Sequence, residues 1–396
     1  MPNLTDGSRH LLRLTMTPGL GPVLIARLIE HFGSAAAALD ASETALREIK
    51  GLGAGRARAI AEGLRDSDRL ADEELDRADR LGVRIIARGE PDYPPLLAQI
   101  PDAPPVLYVR GTLEPHGADR YPIAIVGSRK CTVYGHEQAT RFAMALAQAG
   151  LTVVSGGACG IDGAAHRAAL LAGPQGRTIA VLGCGLAHRY HPDNTEVFAR
   201  IEAGGGALVS ELPLNTPPAS ENFPARNRII SGLALGVLVI EAGRRSGSLI
   251  TARIAAEDHG REVFALPGRV DSPASEGSLE LLKAGSALLV TSPADVLEAL
   301  ESPARHHHRG THADRYPARA AAAPLFDASA PVATLPDTAS ASQRAILAAL
   351  DEADGGLTID ELSRATGLAP GALRSDLTML EIARRVRREG SRVARV

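Results

Sequence analysis

The sequence predicts an α/β protein. A doubly wound, mostly parallel sheet occupies residues 76–300, an all-helical domain precedes it over 1–75, and a linker over 301–341 leads to a small helix-rich domain over 342–396. Three observations predict this. Short β-branched runs alternate with helical stretches through the middle of the chain, a rhythm that requires crossover helices and therefore parallel strands. The composition shifts at both flanks. The length of 396 residues exceeds one ordinary domain.

Residues 11–66 read as a helical unit. Pro18-Gly-Leu-Gly-Pro22 introduces an amphipathic helix ending near Phe32-Gly33, and Gly51-Leu-Gly53 introduces another from about Arg56. Two Gly-apolar-Gly turns between helices resemble the SAM/helix-hairpin-helix element, whose turn amides contact a nucleic-acid phosphate. Glycines that only cap helices in a protein-interaction fold leave the same pattern. Residues 67–82 are charged and helix-prone. A strand follows at Val83–Ala87, and the prolines between Pro91 and Pro105 force an extended lead-in to Val106–Val109. Strands at Ile123–Val126, Leu151–Val154, Thr178–Leu182, Ala207–Ser210, Val237–Ile240 and Val263–Leu266 then alternate with helices at 134–149, 162–172, 193–203, 224–234 and 248–259.

After Glu301 the sequence turns to Ala, Pro, His and Ser without periodicity, as in a flexible linker. His306–His308 lack the fixed frame of a metal site. From Ser342 order returns. Ile346, Leu347 and Leu350 mark one helix, Thr358 caps a second, and a third runs from Gly371 to about Ile382. Arg384–Arg388 and Ser391–Val396 pair around Glu389-Gly390 as a wing. Three helices and a wing make a winged-helix-like domain, a fold used both for DNA and for protein partners. Its third helix offers only Arg374 as a base.

The net charge of −3 excludes a polyanion binder that works through overall charge, leaving local basic patches. Aromatic residues are 3% of the chain with no Trp, so any stacking site must use very few rings. Cys131, Cys159 and Cys184 are odd in number and lack paired metal spacing, which fits small apolar fillers in a reducing cytoplasm. No apolar run approaches the roughly 20 residues of a membrane span. The chain is expected to be cytoplasmic, without membrane, metal or cofactor.

Ligands of a doubly wound sheet bind where loops and helix N-termini converge at the strands' carboxyl ends. Four turns there are rich in small residues: Gly127-Ser128-Arg129, Ser155-Gly156-Gly157-Ala158, Gly183-Cys184-Gly185, and Gly243 to Ser248 with Arg244, Arg245, Ser246 and Gly247. Glycine lets a phosphate approach backbone amides, and Arg129 adds a bidentate donor. Pro224 suits a first helical position and places Arg226, Asn227 and Arg228 in the first turn, an anion seat. Together these form a phosphate cradle. It does not suit a free dinucleotide or nucleoside triphosphate, because the G-x-G-x-x-G spacing and any G-K-[ST] element are missing. Asp162 with His166 one turn later reads as a first-turn acid and its neighbour rather than a catalytic pair.

Taken in order, Gly127-Ser-Arg129, Ser155-Gly-Gly157 with Gly160-Ile-Asp162, Gly183-Cys-Gly185 with Tyr190-His-Pro192, Ser210-Glu211, Phe223-Pro-Ala-Arg-Asn-Arg-Ile-Ile-Ser-Gly-Leu233, Ser246-Gly-Ser-Leu-Ile-Thr-Ala252 and Pro267-Gly268 resemble the DNA-processing protein A family (DprA/Smf) over about residues 90–290. The resemblance implies an extended Rossmann-like domain that binds single-stranded DNA without catalysis. It further implies a homodimer that protects incoming DNA in natural transformation and loads the RecA recombinase. Carried onto this chain, Arg129 is the pocket arginine, Phe223 the stacking ring, and Gly156, Gly157, Arg226, Asn227, Ser246 and Gly247 shape the cradle. Ser220 and Asp193 stand where several members have bases, and Arg244 or Arg245 would compensate. The reading from another class is a nucleotide-processing enzyme of the nucleoside monophosphate N-glycoside hydrolase type, with Glu241 as its carboxylate. The P-G-G-x-G-T element of that group is missing.

Overall fold

The β-branched runs of the middle segment assemble into one nine-stranded sheet. A computed structural model describes residues 4–188, 192–308, 340–351, 353, 356–368, 373, 376–377, 380, 385–389 and 392–395. It divides into two units, Met1–Ala318 and Arg319–Val396.

The first unit begins with α1 (Asp6–Met16), α2 (Pro22–Phe32), α3 (Ala35–Leu39), α4 (Glu43–Leu46) and α5 (Ala54–Arg80). Thr5 caps α1 by accepting the Ser8 amide, and Gly33 ends α2 at a φ of 82°. No glycine or proline interrupts the charged stretch after Gly63, so α5 runs unbroken to Arg80. The boundary expected at 75/76 therefore falls inside a helix. Ala71 and Ala78 of α5 and Leu12 of α1 pack in one cluster with Tyr108, Leu208 and Leu214 from the sheet side. Glu74 of α5 is fully buried and accepts the Leu214 amide at 2.6 Å and an Arg77 N–H at 2.6 Å.

The sheet comprises β1 (Arg84–Ala87), β2 (Val106–Gly111), β3 (Pro122–Val126), β4 (Thr152–Ser155), β5 (Thr178–Val181), β6 (Gly206–Ser210), β7 (Gly236–Val239), β8 (Glu262–Ala265) and β9 (Leu288–Leu289). The connections carry α6 (Pro95–Ala98), α7 (Val133–Gln148), α8 (Ile161–Leu170), α9 (Thr195–Arg200), α10 (Asn222–Leu233), α11 (Ser248–Arg253), α12 (Glu276–Lys283) and α13 (Pro293–His308). Strand order is β1-β2-β6-β5-β4-β3-β7-β8-β9. Only the β1–β2 and β2–β6 pairs are antiparallel, as expected for a mostly parallel sheet. The chain leaves β3 toward β4, β5 and β6 on one side, then returns to β7 and β8 on the other, so the switch point lies between β3 and β7. One face buries Ile229, Ile230 and Leu233 of α10, and the other buries Phe142 of α7 and Ala165 of α8. Residues 301–308, assigned to the linker from composition, continue α13, whose Val296 and Leu300 are buried against the sheet.

The second unit contains α14 (Ala341–Asp351), β10 (Leu357–Thr358), α15 (Ile359–Thr366), β11 (Val386–Glu389) and β12 (Arg392–Arg395), with antiparallel order β10-β12-β11. Thr358 caps α15 in a reciprocal box with Glu361. Ile346, Leu350, Leu362, Leu377 and Val393 share its core. The wing expected around residues 389–390 is the β11–β12 pair. Arg374, Tyr190, His191 and the linker residues 309–339 lie outside the described residues.

Candidate nucleic-acid interface

The turn after β3 approaches the start of α8 so closely that residue 160 must be glycine. It has a φ of 73°, and a Cβ there would lie 2.3 Å from the Ser128 carbonyl oxygen. The Ser128 amide donates to the Glu241 carbonyl at 2.8 Å, across the switch point. The side chain of Glu241, 3% exposed, accepts from the Thr132 amide at 2.7 Å and the Thr132 hydroxyl at 2.6 Å. Thr132 in turn caps α7 by accepting the Gly135 amide. The segment carrying Arg129 and Lys130 is thus fastened at both ends to Glu241, two residues past β7.

Above this turn lies an open groove of about 690 Å³. Of the expected residues it is lined by Gly127, Ser128, Arg129, Phe223, Arg226, Asn227, Arg244, Ser246 and Gly247. The Arg129 guanidinium carbon stands 5.2 Å from the Phe223 ring centroid, a cation–π distance. Phe223 leans on Gly183, where a Cβ would lie 2.8 Å from the ring. Asn227 reaches the Gly247 carbonyl at 3.4 Å and joins α10 to the turn after β7. Three turns expected from the small-residue pattern therefore meet at one rim.

Four expected residues act differently. Helix α10 starts at Asn222, two residues before Pro224, which shifts Arg226 to Arg228 into the second turn and removes the expected first-turn anion seat. Arg226 is 4% exposed and turns its charge inward, donating to the Gly156 carbonyl at 2.8 Å and to the Val181 carbonyl. It supports the floor of the groove. Arg228, about 200° further round the helix, does not line the groove. Its Nε lies 3.0 Å from Asp102 and its NH2 2.5 Å from Glu211, both carboxylates. Gly156 and Gly157 also lie beneath the groove rather than along it. A Cβ on Gly156 would meet the Arg226 guanidinium and the Asp162 carboxylate at 2.8 Å each, and one on Gly157 would meet the Phe198 ring at 3.0 Å. Close packing requires glycine at 156, and a left-handed φ of 67° favours it at 157.

The groove also takes in Lys130, Asp162 and Arg245. Lys130 carried one signal in the sequence, as one of three lysines beside 40 arginines and next to Arg129. Arg129, Lys130 and Arg245 are exposed and have no ion pair among the described residues. Arg244 reaches Glu280 at 3.1 Å and Glu276 at 3.7 Å, which partly neutralises it. Ser220 lines the groove where a base was expected, and Asp193 does not.

Asp162 and His166 do not form a pair. Burial pushes the Asp162 carboxyl up, opposed by Arg226 and the Ala158 amide. His166 is fully buried, and its Nδ1 meets the Thr178 hydroxyl at 2.7 Å. Glu241, the carboxylate that a nucleotide-processing enzyme would use, is turned away from the groove to Thr132. Among the described residues no cluster of three or more His, Cys, Asp or Glu side chains is placed to hold a metal. No helix among them is long and apolar enough to cross a membrane.

Comparison with known proteins agrees with this layout. The family profile described as DNA recombination-mediator protein A matches residues 84–301, the DprA winged helix domain matches 328–391, and the SAM-like helix-hairpin-helix tandem matches 11–66. Protein Smf of Escherichia coli is 51% identical over 210 residues, 53% of this chain and 54% of that protein. The chain thus spans about half the length of that relative. Protein Smf of Synechocystis is 39% identical over 284 residues, covering 71% of this chain and 70% of the relative. The X-ray structure of DprA from Streptococcus pneumoniae superposes with a TM-score of 0.64 at 34% identity, covering 74% of this chain and 98% of that one. The sheet with its switch-point groove, the flanking helical and winged-helix domains and these matches agree, and the chain belongs to the DNA recombination-mediator protein A family, whose members carry the names DprA and Smf.

Proposed function

We propose that the groove between the β3 and β7 turns holds single-stranded DNA without cleaving it. The observation that carries this reading is the Arg129–Phe223 pair, a guanidinium 5.2 Å from an aromatic ring at an open rim. A sequence-tolerant strand site needs cations for the backbone and a π-face for a base, and the pair supplies both within one contact. Lys130 and Arg245 extend the positive edge, while the chain's net charge of −3 keeps attraction local to it.

In this reading the chain acts in the cytoplasm as a homodimer. It covers incoming single strands, protects them and hands them to the RecA recombinase during transformation and recombination. The family to which it belongs supports that role. In the full chain, Arg129→Ala lowers affinity for an oligothymidylate about tenfold or more and makes the salt dependence shallower by about 0.7 in log–log slope. Fluorescence anisotropy across a salt series, with circular dichroism to establish folding, measures both, and unchanged affinity refutes the site. Competition with duplex, mononucleotide and NAD separates strand binding from nucleotide processing. RecA filament growth on protein-covered strands, with and without the chain, tests the loading role.

A further inference from the structure

The rim does not end at Arg129. Lys130, Cys131 and Thr132 lead directly into α7, whose first residues are Val133, 77% exposed, and Tyr134, 42% exposed. Tyr134 donates its hydroxyl to the Pro267 carbonyl at 3.0 Å, so its ring is held at the end of β8, beyond the β7 turn. Val270, 89% exposed, follows in the same loop. The carboxylate beside it, Asp271, is engaged by Arg269 at 3.0 and 2.8 Å. Exposed apolar side chains are ordinary singly. Here Val133 precedes a tethered aromatic ring, Val270 lies three residues past its anchor at Pro267, and the chain reaches that ring from two cations that have no ion pair among the described residues.

The strand order gives the spacing. Phe223 is seated against Gly183, just past β5, and Tyr134 is tied to Pro267, just past β8. The order from β5 to β8 is β5-β4-β3-β7-β8, so those two strand ends are four inter-strand steps or about 19 Å apart. The β3 turn that carries Arg129 and Lys130 lies between these two strand ends, with the Arg129 guanidinium reaching back to Phe223. At the roughly 3.4 Å rise of a stacked strand, a dinucleotide seated at Phe223 does not reach Tyr134.

We propose that Tyr134 is a second base-stacking platform, so that a strand seated at Phe223 continues along the carboxyl rim past Arg129 and Lys130 and lays a later base on the Tyr134 ring. The ligand is single-stranded nucleic acid longer than the Phe223 seat alone can hold. The hydrogen bond to Pro267 already orders the side chain, so little rotamer freedom is lost on stacking. Lys130 takes the intervening phosphate as a point charge. The inference rests on the strand-binding reading of the groove.

The test uses the full chain and oligothymidylates of about 4 and about 16 nucleotides. Tyr134→Ala is expected to weaken the longer oligomer about tenfold and leave the shorter one unchanged, while Tyr134→Phe, which keeps the ring, retains the longer oligomer. A 2-aminopurine near the far end of the longer oligomer is quenched by the wild type and by Tyr134→Phe, and not by Tyr134→Ala. Equal loss for both lengths, which marks a disturbed loop, overturns the proposal, and so does loss for neither. If Tyr134→Ala fails to fold by circular dichroism, Tyr134→Leu replaces it with the same expectations. If Arg129→Ala binds both oligomers as the wild type does, strand binding in the groove itself is wrong. If Arg129→Ala weakens both and the Tyr134 variants weaken neither, only the second platform falls.

Discussion

Glu241 grips Thr132 from across the switch point, taking its amide at 2.7 Å and its hydroxyl at 2.6 Å. The Arg129–Lys130 turn lies between that clamp and the bond from the Ser128 amide to the Glu241 carbonyl. Glu241→Gln preserves shape but sets an amide NH2 where one of the two Thr132 donors points, and a buried donor without an acceptor costs about 1–3 kcal/mol. The turn loosens, and strand affinity falls about tenfold. In an Arg129→Ala background the same change should add almost nothing, because Glu241 works through the turn. A double-mutant cycle in anisotropy checks this, and additive losses would assign Glu241 another task.

Arg228 separates structural from binding arginines. Removing it leaves Asp102 and Glu211 facing one another without their shared cation, and truncating one partner of a buried pair costs about 3 kcal/mol or more. Arg228→Ala should lower the urea midpoint markedly, while the folded fraction binds the oligomer with wild-type affinity. A reduced affinity at full folding would place Arg228 in the groove after all.

His166 makes part of the stability depend on pH. The Thr178 hydroxyl donates to the Val153 carbonyl at 2.7 Å, so it accepts from the His166 Nδ1–H, and Nε2 has no partner among the described residues. Burial, reinforced by Arg167 and Arg226, pushes the imidazole down to about 3. Below about pH 6.5 the unfolded chain takes up a proton that the folded chain refuses. The contribution is therefore complete above that pH and is lost as pH falls toward 3, at up to about 1.4 kcal/mol per pH unit. His166→Gln should flatten this limb in thermal melts between pH 7.5 and 4.5, and an equally steep limb would show that other groups titrate there.

Truncation distinguishes the groove from the winged-helix unit. Deleting residues 309–396 keeps α13 and its buried Val296 and Leu300. Oligothymidylate affinity should remain within about threefold of the full chain. Complete loss would make the C-terminal unit the principal DNA reader.

Much of the sheet was legible because its strands are short, apolar runs: β3 to β8 lie within a residue or so of their expected bounds. The pair Leu288–Leu289 of β9 escaped because two residues carry no period. The expected limit at 75/76 falls inside α5 because the charged, helix-prone stretch carries no breaker before Gly82, and Ala71, Glu74 and Ala78 line its buried stripe. In the site, the strand-end rule and the family resemblance foretold that Arg129 and Phe223 would meet. The sequence shows that Arg226 and Arg228 are charged but not where the charge goes. That depends on carbonyls at 156 and 181 and carboxylates at 102 and 211, brought together only by the fold. Nor does any spacing show that Glu241 would fasten a turn more than a hundred residues earlier.

The Glu74 carboxylate, sealed between α5 and the amide of Leu214, bears on how relatives of this chain exchange parts. A helical tandem transplanted from one relative onto the sheet of another would carry the Glu74 carboxylate and its Arg77 partner into a seam where the remaining donor is a backbone N–H of the recipient's own loop. Recombinant hybrids joined within α5 should therefore fail where the recipient carries a proline at position 214 or a loop that moves this backbone N–H away, whatever the similarity of the segments on either side.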